Sequence, residues 1–267
     1  LPIEWQIEER YRKAGRNKDD IPIDEFRKEC RAFADKWIIV QTEEFKRLGV
    51  IGDWKNPYTT MSYEAEAQIV AECLKFLMNG SLYRGSKPVM WSVVEKTALA
   101  EAEIEYHDHT STTIHVRFPV IDTPSDQLSD ASIIIWTTTP WTMPGNRAIC
   151  YGTHLNYKLI RVGAVAEGSL ARPGEKLVLA GSLLEEVCGE AGITSHTVLG
   201  DVHQDNLAQV VCSHPWRGKG YDFDVPLFPG DHVTDDTGTG FVHTAPGHGT
   251  EDFGVGMVHG LEVPQTV

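Results

Sequence analysis

The spacing of the hydrophobic residues changes near Gly80, and this change limits what the chain can fold into. Between Asp24 and Leu48 apolar residues recur every three or four positions, which predicts one long amphipathic helix or two short ones. A second apolar stripe runs from Ser62 to Asn79, where Ser62 suits an N-cap and Gly80 follows as a C-terminal stop. The first third of the chain is therefore predicted to be helical.

Beyond Gly80 the pattern has the period of two that half-buried strands show. Residues 113–118 alternate polar and apolar side chains. Further short β-branched runs lie at residues 132–136, 157–162 and 176–179, and one short helix is expected at 180–188. The predicted fold class is α/β, with a helical part and a sheet-rich part that meet between residues 81 and 95.

The charge balance excludes some functions. The chain has 24 Lys and Arg against 38 Asp and Glu, a formal net charge of −14, so its surface repels phosphate. A general nucleic-acid coat is excluded, and any nucleic-acid partner would have to be held at a local site. At 41% apolar residues the chain can form an ordinary core, and no run approaches the roughly 18 apolar residues of a membrane span.

The five cysteines indicate neither a disulfide framework nor a zinc knuckle, because they are odd in number and include no Cys-x-x-Cys pair. A reducing, cytoplasmic location fits this composition best. The chain begins with Leu rather than Met and shows no signal peptide, so it is expected to be an internal fragment of a longer protein.

A threonine-rich segment follows the apolar run at residues 133–135. Trp136 to Arg147 contains three consecutive hydroxyls together with two indoles and two prolines. Such hydroxyls can hold a polar ligand and a water molecule by hydrogen bonds, although they supply no strong base. The same residues suit a strand that runs into a rigid turn, so this segment alone leaves both interpretations open.

A glycine-rich segment, residues 238–253, gathers ionisable side chains: His243, His248, Glu251 and Asp252. Three interpretations compete: a metal site formed by both histidines and Asp252, a metal-free hydrolytic or binding pocket, and a loop whose side chains face water. The two histidines are five residues apart, which is not the i, i+4 pair of a zinc-binding helix and weakens the metal interpretation.

Three common ligand-binding or catalytic motifs are missing from the sequence. Gly238-x-Gly240 lacks the third glycine of a dinucleotide site, and no Gly-Lys-Ser/Thr follows it. No Gly-x-Ser-x-Gly elbow is present either. Any hydrolysis here is therefore expected to use water as the nucleophile.

Three segments together resemble the editing domain of the bacterial isoleucyl-tRNA synthetases: Trp136 to Ile149, Gly230 to Val233, and Gly238 to Phe253. The run Thr-Thr-Thr-Pro-Trp that starts at Thr137 is typical of this family. The resemblance extends over essentially the whole chain, whereas the His-Ile-Gly-His and Lys-Met-Ser-Lys-Ser signatures of the synthetic site are absent.

This resemblance implies two domains. Residues 1–92 would be part of a class I Rossmann-fold catalytic domain, mainly helical in this stretch. Residues 93–267 would be the connective insertion with a β-rich, β-barrel-like editing domain that is truncated at its C-terminus. The implied reaction is hydrolysis of valine wrongly attached to tRNA(Ile), because one methylene gives too little binding energy to reject valine at the synthetic site, a limit that this family itself illustrates.

The resemblance also implies roles for individual residues. Thr137, Thr138 and Thr139 would line the editing pocket and position the ester and a water molecule, with Asn146 supporting them. Asp252 would bind the α-ammonium of the aminoacyl group.

Four further residues would shape the site. His243 would bound the side-chain pocket and help to reject isoleucine, and a general-base role for it stays open. Trp136 and the backbone of Gly240 would face the terminal adenosine, and His248 would also contact the substrate.

Editing as implied needs no cofactor or metal, whereas ATP, Mg²⁺ and isoleucine would act in the full enzyme at a site outside this chain. The partner would be the 3′ end of tRNA(Ile) carrying valine, and a monomer away from membranes is expected. Two alternatives stay open: a metal-dependent hydrolase using His243, His248 and Asp252, which a chelator would inactivate, and a non-catalytic tRNA-docking module, which would hydrolyse no ester.

Overall fold

The computed structural model describes residues 2–94 and 96–264. The chain forms two compact units, residues 1–85 and 86–267. The first unit contains α1 (Pro2–Lys13), α2 (Ile23–Arg47) and α3 (Tyr63–Met78). Both predicted helices are confirmed, and α2 is a single long helix. The assignment of residues 1–92 and 93–267 to a catalytic domain and an insertion stays a prediction.

Helix α3 begins and ends as its sequence predicts. The Ser62 hydroxyl accepts the backbone N–H of Ala65 at 3.3 Å, and Gly80 follows the helix with φ of +82°. The apolar stripe nevertheless stays exposed within this unit, since Ile69 and Val70 are 58% and 56% accessible. The period of 3.6 therefore identifies the helix without identifying a partner for its apolar face.

The second unit is built around one mixed sheet. A separate antiparallel pair consists of β1 (Trp91–Ser92) and β2 (Thr97–Ala98). The main sheet contains β3 (Ile114–Asp122), β4 (Ala131–Thr137), β5 (Ala148–Tyr151), β6 (Tyr157–Val165), β7 (Lys176–Ala180), β8 (Ile193–Val202), β9 (Val211–Ser213), β10 (Asp224–Pro229) and β11 (Phe241–Thr244). Their order is β11-β5-β10-β9-β3-β4-β7-β6-β8, with β4/β7 and β5/β10 parallel and the other neighbours antiparallel.

The barrel-like form predicted for this part needs a correction. Among the described residues the hydrogen-bonded sheet is open, with β11 and β8 at its edges. Strand β11 nevertheless lies close to β4, five places away in the sheet, so the sheet curls over its own core without closing. This curl brings the end of β4 next to β11.

The core of the second unit lies along β4. Ile133 and Ile135 are fully buried and Ile134 is nearly so. Burial on both faces explains why this strand reads as a continuous apolar run rather than an alternating one. The strands predicted around residues 113–118, 132–136, 157–162 and 176–179 are confirmed as β3, β4, β6 and β7.

The second unit also contains α4 (Leu184–Glu190), α5 (Gln204–Leu207) and α6 (Thr250–His259). The helix predicted at 180–188 begins with a short 3₁₀ turn, Gly181–Leu183, and continues as α4. In the part of the chain that the structure describes, no helix is long and apolar enough to cross a membrane.

Two segments bring the predicted site residues together. After β4 ends at Thr137, a 3₁₀ turn (Pro140–Gly145) leads into β5. The glycine-rich segment is not a loop throughout, because β11 pairs with β5, His243 opposite Ile149, and α6 begins at Thr250. The interpretation of residues 238–253 as a loop that merely faces water is therefore wrong.

Candidate functional site

A cavity of about 300 Å³ lies where the end of β4, strand β11 and the start of α6 meet. Eight of the nine residues predicted for the site line it. The full lining is Trp136, Thr137, Thr138, Thr139, Thr142, His232, Thr234, Thr237, Gly238, Thr239, Gly240, Phe241, Val242, His243, His248 and Asp252. The ninth predicted residue, Asn146, lies behind this lining against His243.

A larger groove of about 950 Å³ is lined by residues of β3, β4, β7 and α4, away from the predicted site. Its lining mixes apolar and polar side chains, and its Arg117 is already paired with Glu175. We regard the smaller cavity as the functional candidate, because eight of the nine predicted site residues line it and the larger groove contains none of them.

The threonines at the end of β4 form a connected set of hydroxyls. The Thr137 hydroxyl accepts the backbone N–H of Thr139 at 3.1 Å and lies 3.2 Å from the Thr139 hydroxyl. The Thr142 hydroxyl, 3.4 Å from that of Thr139, donates to the Thr139 carbonyl at 2.9 Å. Thr138 is the exposed member of the three consecutive threonines. The turn therefore presents several oriented hydroxyls to one cavity.

His243 is held on both sides of its ring. Its Nε2 lies 3.0 Å from the Thr142 hydroxyl, and its Nδ1 lies 3.5 Å from the Asn146 amide nitrogen. Asn146 donates to the Ala148 carbonyl at 2.9 Å, which fixes the orientation of its amide. The Thr142 hydroxyl donates its proton to the Thr139 carbonyl, so it can only accept from Nε2 of His243. Asn146 offers an N–H to Nδ1. This network therefore assigns the ring proton of His243 to Nε2 and the lone pair to Nδ1.

The electrostatics of His243 agree with this neutral tautomer. Burial, with smaller effects from His248 and His214, lowers its pKa to about 4. The ring is therefore uncharged at neutral pH. With both nitrogens engaged, His243 can form a rigid wall of the cavity, but it presents no free lone pair to a water molecule.

Asp252 provides a carboxylate in the first turn of α6. Its Oδ2 accepts the backbone N–H of Ala245 at 2.7 Å, which fixes the side chain. Burial raises the pKa of this carboxyl, while the hydrogen bond from the Ala245 N–H acts in the opposite direction. A cationic ligand group would stabilise the carboxylate further.

The backbone around Gly240 is set by a tight contact. Gly240 has φ of +78°, and a Cβ placed there would lie 2.4 Å from the Ala180 Cβ. The buried Tyr157 hydroxyl donates to the Gly240 carbonyl at 2.6 Å and accepts the Gly152 N–H at 2.8 Å. Only glycine fits this position of the cavity rim.

Several lining residues are not among those predicted from the sequence. Thr142 lies one helical turn after Thr139, so the spacing of the hydroxyls could have indicated it. His232 belongs to a segment that carries the resemblance, but nothing in its spacing points to the cavity. Thr234, Thr237 and Thr239 come from the turn before β11, which the sequence does not connect to β4.

The metal interpretation gains no support from this geometry. Among the described residues, no group of three or more His, Cys, Asp and Glu side chains is arranged to hold a metal ion. Of the three residues proposed as ligands, His243 is engaged by Thr142 and Asn146, and Asp252 by Ala245.

The sequence places the chain in a known class. Residues 1–242 match the family described as tRNA synthetases class I (I, L, M and V), and the chain belongs to this family. Its sequence is similar to that of isoleucine–tRNA ligases, which confirms the predicted resemblance. It is 54% identical to the Gluconobacter oxydans (strain 621H) protein over the whole chain and 28% of that protein. It is 58% identical to the Brucella abortus (strain 2308) protein over 96% of the chain and 27% of that protein.

The chain thus spans little more than a quarter of the length of these relatives. Among solved structures, GlLeuRS-CP1 matches with a TM-score of 0.43 and 12% identity over 57% of this chain and 66% of that one. A second match is the P.falciparum cytosolic leucyl-tRNA synthetase editing domain (space group P21). It has a TM-score of 0.36 and 13% identity over 46% of this chain and 45% of that one.

Proposed function

We propose that the cavity is an editing site that hydrolyses the ester of valine wrongly attached to tRNA(Ile). The observation that carries this proposal is the composition of the cavity: several oriented hydroxyls, an uncharged His243 and the carboxylate of Asp252 in about 300 Å³. Such a site suits a small aminoacyl group with one cationic end. Membership of the class I synthetases supports the same assignment.

In this proposal Asp252 binds the α-ammonium, which fixes the neighbouring ester carbonyl relative to the hydroxyls of Thr137 and Thr139. The oxygen of a water molecule attacks the carbonyl carbon, and the bond to the ribose oxygen breaks. That ribose oxygen takes up a proton, so free valine and a tRNA with both terminal hydroxyls are released. The vicinal ribose hydroxyl assists the attack, since His243 has no free lone pair for a general-base role.

The same wall accounts for selectivity. His243 is fixed from both sides by Thr142 and Asn146, so it cannot move aside for a longer side chain without breaking hydrogen bonds. A buried, well-packed wall resists an added methylene, and overpacking typically costs about 1–3 kcal/mol. Valine is admitted and isoleucine is excluded by bulk, the reverse of selection at a synthetic site.

The wider roles follow from the relatives rather than from the cavity. We propose that the whole protein attaches isoleucine to tRNA(Ile) in the cytoplasm, with ATP and Mg²⁺ bound outside this chain. Its partner at the cavity is the aminoacylated 3′ end of tRNA(Ile). The acidic surface of the chain means that most of the tRNA affinity comes from other parts of the protein.

The test is deacylation of valyl-tRNA(Ile) and isoleucyl-tRNA(Ile), with and without EDTA. It uses the 267-residue chain and the same residues exchanged into the Gluconobacter oxydans relative. We expect valine release that EDTA leaves unchanged, sparing of the isoleucyl ester, and loss of valine release in Asp252→Ala. The control is His107→Gln, which replaces an exposed residue.

Three other outcomes would contradict the proposal. Loss of valine release with EDTA would favour the metal-dependent hydrolase. Hydrolysis of both esters at equal rates would remove the editing assignment. tRNA binding that survives Asp252→Ala, without any ester hydrolysis by the unmutated protein, would favour a docking module.

A further inference from the structure

His232 has a ring nitrogen that the fold leaves unsatisfied. Its Nε2 is buried and has no hydrogen-bond partner among the described residues, although the ring lines the cavity. Buried polar atoms nearly always have a partner, because an unpaired one costs free energy. This nitrogen therefore marks a place where a ligand group would complete the hydrogen bonding.

The backbone before His232 fixes the direction of its ring. Strand β10 ends at Pro229, and the Gly230 N–H donates to the Tyr151 carbonyl at 2.9 Å. The Val233 N–H then donates back to the Gly230 carbonyl at 3.2 Å, which closes a turn. A Cβ at Gly230 would lie 2.8 Å from the His232 Cε1, so the ring packs tightly on this glycine. A ring held in this way is preorganised for a ligand.

The Asp252 carboxylate lies in the same cavity as His232. Both side chains line the same cavity, and they are close enough to interact electrostatically. Asp252 already uses one oxygen on the Ala245 N–H. An ammonium group has three N–H donors that point in different directions, so a carboxylate on one side of it cannot accept all three.

We propose that the Nε2 of His232 is a second acceptor for the α-ammonium of the aminoacyl ester, beside Asp252. This inference rests on the proposed editing function and adds a substrate-binding residue to it. This role requires the lone pair of the ring on Nε2 and the ring proton on Nδ1. Two acceptors on one ammonium fix the direction of the Cα–N bond, and thereby the ester carbonyl, better than a single acceptor does.

The experiment compares two esters that differ only at the amino group: valyl-tRNA(Ile) and 2-hydroxyisovaleryl-tRNA(Ile), in which a hydroxyl replaces the ammonium. The proteins are the unmutated chain, His232→Leu, His232→Gln and the exposed control His107→Leu, each also within the Gluconobacter oxydans relative. His232→Leu removes the acceptor at similar size, and His232→Gln keeps an acceptor near the position of Nε2.

We expect His232→Leu to lower kcat/KM for the valyl ester by about ten- to hundredfold, the range for a hydrogen bond to a charged group. The hydroxy ester offers one uncharged donor in place of a charged ammonium, so the same variant should lower its kcat/KM by only about two- to fivefold. His232→Gln should recover most of the valyl activity. A purely structural role would instead reduce both esters equally.

The outcomes separate the two proposals. If the unmutated protein releases no valine in either context, the editing function and this inference both fail. If valine is released but His232→Leu slows both esters alike or neither, only the role of His232 is overturned. Thermal unfolding of each variant shows whether a lost activity reflects a lost fold. If His232→Leu does not fold, His232→Gln decides between the outcomes. No recovery of valyl-selective activity in His232→Gln would then refute the proposal.

Discussion

The buried, neutral His243 makes the stability of the second unit depend on pH in a calculable way. Its pKa is about 4 in the folded chain, against about 6.5 in an unfolded chain. Between these two values the unfolded state binds a proton at this residue and the folded state does not, so the free energy of unfolding falls as the pH falls. Each pKa unit of difference between the two states corresponds to about 1.4 kcal/mol. The free energy of unfolding is therefore expected to fall by about 3 kcal/mol between pH 7 and pH 4.

The perturbation that isolates this effect is His243→Gln, which does not titrate. We expect the difference in unfolding free energy between the two proteins to change by about 3 kcal/mol in favour of the variant from pH 7 to pH 4. Because the chain has two units, the assay is native-state exchange of the β5 amides, which report on the second unit. His107→Gln, with an exposed ring, should show no such change.

A direct titration provides the refutation. In a nuclear magnetic resonance titration the His243 ring should stay neutral until the pH is near 4. A ring that protonates near its ordinary value, or a stability difference that stays constant with pH, would show that His243 is not held neutral by burial. The rigid uncharged wall, and the argument against a general base, would then both fail.

Three further predictions concern neighbouring groups. Thr142→Val leaves the Nε2–H of His243 without its acceptor and should cost about 1–3 kcal/mol in urea unfolding, with faster hydrolysis of isoleucyl-tRNA(Ile) as the wall loosens. Asp252→Asn should abolish valine release yet raise the urea midpoint at pH 7. Because burial raises the pKa of Asp252, that gain should vanish below the unfolded pKa of about 3.9. Tyr157→Phe, which removes the donor to the Gly240 carbonyl, should cost about 1–3 kcal/mol in thermal unfolding.

Local patterns in the sequence were sufficient for the elements with strong periodicity. The Ser62 cap and the apolar stripe after it define α3, and the run at residues 133–135 defines β4. These signals depend on neighbours within a few residues along the chain. What packs on the apolar face of α3 is not such a local property, and within its unit Ile69 and Val70 remain exposed.

Helix α6 shows where local propensity misleads. It contains Gly254 and Gly256, and a glycine inside a helix costs up to about 1 kcal/mol relative to alanine, so the segment resembles a loop. A Cβ at Gly256 would lie 2.9 Å from the Pro246 Cβ. The glycine is therefore required by close packing, which the sequence pattern does not contain.

The site residues also fall into those that the sequence indicates and those that only the fold brings to the cavity. Residues 137–139 and 243–252 are dense in polar groups, and their density alone indicates a pocket. Thr142 and His232 take their positions from the pairing of β11 with β5 and from the turn after β10. Their contribution therefore depends on topology, which residue spacing does not reveal.

The charges of the chain act on two length scales in the proposed reaction. The net charge of −14 repels tRNA phosphates over about 8 Å, the screening length at physiological ionic strength, so the chain attracts the 3′ end only at the cavity. There the walls are hydroxyls and a neutral ring. In the proposed editing function, the carboxylate of Asp252 has the role of recognising the ammonium. Hydrolysis releases the amino acid together with its ammonium group. The tRNA end then loses its only cationic group and is left with phosphates that the surface repels, so the same electrostatics that bind the mischarged end favour release of the corrected one.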